Sequence, residues 1–109
     1  YLREEYAPAA DYATRALAEN PDYAEAYNVR GLASVKKDDY PRAIEDFDAA
    51  IKVRPEYAEA YNNRAFAYYR LGDPAKAQTD LLKAESLGAQ INKGLLSRIQ
   101  QALREKGLN

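Results

Sequence analysis

Apolar and small residues recur every three or four positions along most of the chain, a spacing that predicts helices with one buried face. Two of these helices carry the faces Tyr27, Gly31, Ser34 and Tyr61, Ala65, Tyr68. Turn residues follow each helix, and then Pro41 or Pro74, which suits the first turn of another helix. The pattern therefore predicts an all-α chain built from helix hairpins.

The second helix of each predicted hairpin has an apolar stripe of its own. The stripes consist of Ala43, Ile44, Phe47, Ala50 and Ile51 in one helix and of Ala77, Leu81, Leu82 and Ala84 in the other. The first of these helices is predicted to end before Pro55, because the residue that precedes a proline avoids the α conformation.

The hairpins repeat with a period of 34 residues. The letters AEAYN at Ala24–Asn28 return at Ala58–Asn62. The same offset joins Tyr23 to Tyr57, Arg30 to Arg64, Ala33 to Ala67, Asp39 to Asp73, Ala43 to Ala77 and Ala50 to Ala84. Because one hairpin cannot bury both of its faces, such units are expected to stack on their neighbours.

These residues resemble the tetratricopeptide repeat, a 34-residue helix hairpin with aromatic, Leu-Gly, Tyr, Ala, Phe, Ala and Pro at set intervals. The first full unit matches at Tyr27, Gly31, Tyr40, Ala43, Phe47, Ala50 and Pro55, and the second at Tyr61, Ala65, Tyr68, Gly72, Ala77, Leu81 and Ala84. The chain departs from the pattern at Arg30, Ser34 and Ala89, where the family usually has Leu, Tyr and Pro. The resemblance implies a right-handed α-solenoid.

Four segments are expected from this register. Residues 1–23 form a partial first repeat, which supplies only the second helix of its hairpin, and residues 24–57 and 58–91 form full repeats. Residues 92–109 form a C-terminal capping helix, with Leu95, Ile99 and Leu103 on its apolar side. The partial repeat is predicted to be helical over Ala7–Glu19, with Tyr1-Leu2 as the tail of a preceding helix.

The family resemblance also implies a concave groove lined by the first helix of each hairpin. The positions that face it are Glu25, Asn28, Val29, Leu32, Val35 and Lys36, then Glu59, Asn62, Asn63, Phe66, Tyr69 and Arg70, and finally Lys93. Asparagine amides suit a peptide backbone and the apolar residues suit its side chains, so we expect an interaction scaffold that binds a peptide or helical segment of a protein partner. The alternative is a solvated helix face with scattered apolar residues.

Some tetratricopeptide domains hold the acidic tail of heat-shock chaperones in a carboxylate clamp. Asn63 and Lys93 match two of the five clamp positions, whereas Asn28, Leu32 and Ser97 depart from the other three. Two matches are too few, so chaperone-tail binding is not the preferred interpretation.

A different function is favoured by the first predicted helix. Its apolar stripe consists of Ala9, Tyr12, Ala13, Ala16 and Leu17, and no preceding helix is at hand to cover it. The alternative hypothesis is therefore a structural domain that forms homo-oligomers through this N-terminal edge. A longer parent chain that supplies the missing helix is the other way to cover the stripe.

Composition narrows the chemistry. The 16 basic and 17 acidic residues leave no positive excess for binding nucleic acid, and no apolar run reaches the roughly 20 residues needed to span a membrane. Because the chain has no His and no Cys, we expect no metal, no cofactor and no enzymatic activity. Asp46 and Asp48 point apart on a helix and are interpreted as part of a solvated face. The chain starts at Tyr1 rather than Met, so its start carries no information on localisation.

Overall fold

The computed structural model describes residues 2–107, with the side chains of residues 8–107. These residues form six helices and no strand, so the predicted all-α fold is confirmed. The helices are α1 (Leu2–Glu19), α2 (Ala24–Lys36), α3 (Tyr40–Val53), α4 (Ala58–Arg70), α5 (Pro74–Ser86) and α6 (Lys93–Glu105). The sequence predicts that Tyr1-Leu2 is the tail of a preceding helix. Tyr1 lies outside the described residues, and Leu2 is the first residue of α1.

The chain divides into two compact units, unit 1 over Tyr1–Glu56 and unit 2 over Tyr57–Asn109. In unit 1, α2 packs against both α1 and α3. In unit 2, α5 packs against both α4 and α6.

Three helices begin at side chains that cap them. The Asp39 carboxylate accepts a hydrogen bond from the Arg42 backbone N–H at 3.3 Å, and Asp73 accepts one from Lys76 at 3.2 Å. Asn92 caps α6 in the same way. Each cap satisfies a backbone donor that the helix itself leaves without a partner, a contribution of about 1 kcal/mol.

Close approach of two helices explains the glycine in the centre of α2. A Cβ atom added to Gly31 would lie 2.5 Å from the Phe47 ring, which is fully buried. At the corresponding positions of unit 2 the residues are Ala65 and Leu81, also fully buried. In both hairpins, a small residue on the first helix (Gly31 or Ala65) therefore lies opposite a large residue on the second (Phe47 or Leu81).

The core of unit 2 is one cluster to which α6 contributes its apolar stripe. The buried members are Ala65, Ala77, Leu81, Leu95, Ile99 and Leu103. The opposite side of α6 is exposed and polar. This helix therefore covers the apolar side of the α4–α5 hairpin.

The first helix differs from its prediction in two respects. It begins at Leu2 rather than Ala7, so that Pro8 lies inside it, although proline is unfavourable there because it removes a backbone donor. Its apolar stripe is also partly covered, since Ala13 and Leu17 are buried against Ala26 and Tyr27 of α2. The prediction that Ala13 and Leu17 are exposed for self-association is therefore wrong.

A partly buried ion pair joins the two helices of each full hairpin. The Arg30 guanidinium donates to both carboxylate oxygens of Asp46 at 2.9 and 3.1 Å. Arg64 and Asp80 form the same pair at 2.7 and 2.8 Å, 34 residues further along. The interpretation of Asp46 as a solvated residue is wrong, because a carboxylate that receives a bidentate arginine can be buried. The bond to Asp46 also raises the pKa of Arg30.

Candidate peptide-binding surfaces

The predicted groove residues of α2 fall into an exposed set and one buried exception. Val29 and Lys36 are exposed, whereas Leu32, Val35 and Glu25 are partly exposed. Asn28 is only 5% exposed. It is therefore not a surface residue, and its assignment as a peptide contact is wrong. The helical spacing that selected Asn28 does not distinguish a residue facing solvent from one facing the protein.

The exposed α2 residues border a surface that also involves α1. One open cavity of about 240 Å³ lies against Ala9, Tyr12, Tyr23 and Val29, and an adjoining one of about 400 Å³ lies against Ala9, Val29 and Leu32. Since Ala9 and Val29 belong to both cavities, they form one surface. We call it the α1–α2 cleft and define it by Ala9, Tyr12, Tyr23, Val29 and Leu32.

The α1–α2 cleft combines residues that the sequence assigned to two different functions. Val29 and Leu32 were predicted to bind a peptide, whereas Ala9 and Tyr12 were predicted to mediate self-association. Tyr12 is 68% exposed, and Tyr23 and Val29 are exposed as well. These three are half of the six exposed large apolar side chains found among residues 8–107. Sequence reasoning missed Tyr23, which the repeat register presented only as a packing residue.

Opposite charges flank the α1–α2 cleft. Glu25 borders the first cavity and Lys36 the second, about 16 Å apart along α2 at the usual helical rise. Arg54 donates a hydrogen bond to Glu25 at 2.7 Å and lowers the pKa of that carboxyl. Glu25 is therefore paired within unit 1, and Lys36 is an exposed basic side chain at the other end of α2.

The predicted groove residues of unit 2 are only partly available. Asn62, Asn63, Phe66 and Tyr69 are partly exposed. Phe66 and Tyr69 also pack on the core cluster, so part of each ring stabilises the unit itself. Glu59, Arg70 and Lys93 are exposed.

Another open cavity, of about 340 Å³, lies between Tyr69 of α4 and the polar side of α6. Its other lining residues are Ser97, Arg98, Gln101, Ala102 and Glu105. We call this surface the α4–α6 cleft. Sequence reasoning did not select its α6 residues, because a polar helix face gives no signal that separates a binding surface from a solvated one.

Two further properties concern the described residues as a whole. No helix among them is both long and apolar enough to cross a membrane. Within residues 8–107, no three acidic side chains lie close enough together to hold a metal ion.

Comparisons with known proteins identify the family. A family model described as TPR repeat matches residues 31–72, and two models described as tetratricopeptide repeat match residues 3–44 and 58–88. Together they extend from residue 3 to residue 88. The chain belongs to the tetratricopeptide repeat family. No curated protein sequence matches it.

Several solved structures share the fold. The first tetratricopeptide domain of Spaghetti (RPAP3), bound to the HSP90 peptide SRMEEVD, has a TM-score of 0.83 at 19% identity, over 95% of this chain and 82% of that one. The TPR2B domain of yeast Sti1, in a pHsp70 complex, has a TM-score of 0.75 at 28% identity, over 93% and 82%. MamA has a TM-score of 0.71 at 31% identity, over 76% of this chain and 48% of its own.

Proposed function

We propose that this chain is a protein-interaction scaffold that binds a peptide or helical segment of a partner protein, with no enzymatic role. The observation that carries the proposal is the α1–α2 cleft, where three exposed large apolar side chains surround one open surface. Contiguous apolar surface of this kind is uncommon on a soluble protein unless it binds something.

The chemistry of the cleft favours an amphipathic segment. Val29, Leu32 and Tyr12 can take apolar side chains spaced along one face of the ligand, as grooves for amphipathic helices do. Lys36 would favour an acidic residue at its end of the ligand, because opposite charges attract. The Asn62 and Asn63 amides on α4 can pair with the backbone of an extended ligand.

Related proteins support the ligand class and not its identity. The Spaghetti domain was solved with an HSP90 peptide and the Sti1 domain with pHsp70. Binding of such tails is not proposed here, because three of the five clamp positions differ in this chain, and Asn28, one of the three, is also buried.

A peptide selection tests the proposal. A random peptide library displayed on phage would be selected on the protein, and the affinity of the selected peptides measured by fluorescence anisotropy. The double variant Val29→Asp/Leu32→Asp should weaken binding at least about tenfold, because each buried aliphatic side chain contributes roughly 1.5–3 kcal/mol. Leu82→Asp is the matched control, since Leu82 is exposed on α5, outside these surfaces. Equal affinity for both variants would contradict a role of the cleft.

Self-association through α1 is the second candidate, and the high exposure of Tyr12 favours it. With Ala13 and Leu17 buried, Ala9 and Tyr12 remain as its contacts. Sedimentation equilibrium of the wild type should then show a dimer that Tyr12→Lys converts to a monomer. A wild type that stays monomeric at high concentration would reject self-association and leave peptide binding in place.

A further inference from the structure

Another cavity of unit 1 lies beside the Arg30 and Ser34 side of α2 and adjoins the α1–α2 cleft at Ala33. It has a volume of about 360 Å³ and is the most enclosed of the cavities described here. We call it the Ser34 pocket and define it by Thr14, Arg30, Ser34, Lys37 and Arg42. Arg30, Ser34 and Lys37 are spaced by four and three residues and so share one side of the helix, away from Val29 and Leu32.

The corresponding place in unit 2 is filled by an aromatic ring. Tyr68 is the register equivalent of Ser34, and Arg64 and Lys76 are the equivalents of Arg30 and Arg42. The Arg64 Cζ atom lies 5.8 Å from the centre of the Tyr68 ring, and the Lys76 Nζ atom lies 5.5 Å from it. Both distances are typical of cation–π interactions. Unit 2 therefore holds a ring beside two cations.

Unit 1 keeps the two cations and lacks the ring. Arg30 is 5.9 Å from the Tyr27 ring, as Arg64 is 5.6 Å from Tyr61, but the second ring contact of Arg64 has no counterpart in the Ser34 pocket. Arg30 is also held in position, by two hydrogen bonds to Asp46 and one to the Thr14 hydroxyl at 3.3 Å. A fixed guanidinium beside an open cavity is prepared to receive a π face, because little side-chain entropy remains to be lost.

The Ser34 hydroxyl gives an independent indication of a ligand. Ser34 is 8% exposed, and its hydroxyl has no hydrogen-bond partner among the described residues. Every fully enclosed side-chain N or O atom of those residues has a partner, so the Ser34 hydroxyl is not fully enclosed, and Ser34 lines the cavity. A polar group in such a place normally pairs with water or with a ligand.

We propose that the Ser34 pocket binds an aromatic side chain of a partner protein, a tyrosine in particular, in the place that Tyr68 occupies in unit 2. The ring would lie against Arg30 and Arg42, and its phenol group would pair with the Ser34 hydroxyl. This site adjoins the α1–α2 cleft at Ala33 but uses other side chains, and it goes beyond the proposed function. It follows from one departure from the repeat pattern, in which a serine replaces a tyrosine and leaves its cationic neighbours in place.

The test uses 4-methylphenol, the side-chain analogue of tyrosine, in a titration followed by ¹H–¹⁵N NMR. We expect saturable shifts of Ser34, Lys37 and the Arg30 Nε–H, with a dissociation constant on the order of millimolar for so small a ligand. Ser34→Tyr should abolish these shifts by filling the cavity. Ser86→Tyr, at an exposed serine of α5, is the matched control and should leave them unchanged.

Two further arms make the result specific. 4-Methylcyclohexanol has similar size and a hydroxyl group but no π face, so it should bind at least about twofold more weakly. Val29→Asp/Leu32→Asp should leave 4-methylphenol binding intact, which separates this site from the cleft. If Ser34→Tyr does not fold, Arg42→Ala serves instead and should weaken binding about two- to fivefold.

The proposal is overturned if 4-methylphenol gives no saturable shifts, or if Ser34→Tyr binds it as the wild type does. It is also overturned if inorganic phosphate produces the same shifts and the phenol none, because the pocket would then be an anion site.

Discussion

Gly31 and Phe47 fill a space between α2 and α3 that Ala65 and Leu81 fill between α4 and α5. The larger Phe47 is accommodated because Gly31 has no Cβ, and the smaller Leu81 leaves room for Ala65. Protein interiors are close-packed, so a change at one of these positions has to be matched at the other. The two pairs are therefore alternative solutions for the same contact.

The Gly31 and Phe47 pair can be tested by substitution. Gly31→Ala should lower the free energy of unfolding by about 1–3 kcal/mol, because the new Cβ would overlap the Phe47 ring and outweigh the better helix propensity of alanine. Adding Phe47→Leu recreates the pair of unit 2 and should recover part of the loss. Urea denaturation of both variants measures this, and a higher midpoint for Gly31→Ala alone would contradict the packing argument.

A second prediction at this scale concerns the Glu25 carboxyl. The hydrogen bond from Arg54 lowers the pKa of Glu25 in the folded protein. The stability that this contact adds is therefore fully present above the pKa of Glu25 in the unfolded chain, and it is lost as the pH falls through the pKa of Glu25 in the folded protein. Arg54→Gln should raise the pKa of Glu25 toward the ordinary value of about 4.3. A ¹³C NMR titration of the Glu25 carboxyl measures the shift. The same pKa in both proteins would show that Arg54 has no influence in solution.

At the scale of elements, the Arg30–Asp46 and Arg64–Asp80 pairs tie the first helix of each full hairpin to the second. Each carboxylate is buried and each guanidinium is partly exposed, at 33% for Arg30 and 19% for Arg64. A buried charge is tolerated because the bidentate partner replaces its hydration, and it becomes costly when that partner is removed.

The difference in exposure predicts an order of effects. Asp80→Ala should lower the free energy of unfolding by about 3 kcal/mol, since it removes the bidentate carboxylate from the less exposed Arg64. Asp46→Ala should lower the free energy of unfolding by less, because the more exposed Arg30 remains in contact with water. Thermal and urea unfolding of the two variants decide the order, with Glu45→Ala as an exposed acidic control on α3. A larger loss for Asp46→Ala would contradict the argument.

The helical period of the sequence predicts most of the helices, but not every side-chain contact between them. The period places α2 to α6, because each has an apolar stripe bounded by turn residues or a proline. It does not predict the pairing of Asp46 with Arg30, since a charged residue beside Phe47 looks the same whether it faces water or a guanidinium. The early start of α1 was hidden by Pro8, which is usually a first-turn residue.

The candidate sites were harder to predict than the helices. Val29 and Leu32 were selected correctly as accessible residues of α2, whereas Asn28 is buried, because one sequence position cannot show which face meets the protein. The Ser34 pocket depends on the absence of a ring at one position of the repeat. Such an absence becomes visible only when unit 1 is compared with unit 2.

At the scale of the whole molecule, nearly equal numbers of acidic and basic residues and the lack of cysteine define what can drive stability and binding. No disulfide constrains the chain, so its stability rests on packing, caps and the buried ion pairs. A net charge of −1 gives little long-range attraction for a partner. Binding is therefore expected to depend on apolar surface in the clefts, and only weakly on salt.

One prediction from the sequence concerns unit 2 by itself, namely that the Asn63 amide of α4 pairs with the backbone of a bound peptide. A peptide that binds unit 2 should then lose affinity with Asn63→Ala. A net hydrogen bond contributes about 0.5–1.5 kcal/mol, so Asn63→Ala should weaken binding by up to about tenfold. Isothermal titration calorimetry measures the affinity. Asn63 also interacts within the chain. The melting temperature of the Asn63→Ala variant therefore has to stay close to that of the wild type. Peptides that lose affinity with Val29→Asp and not with Asn63→Ala would reject Asn63 as a peptide contact.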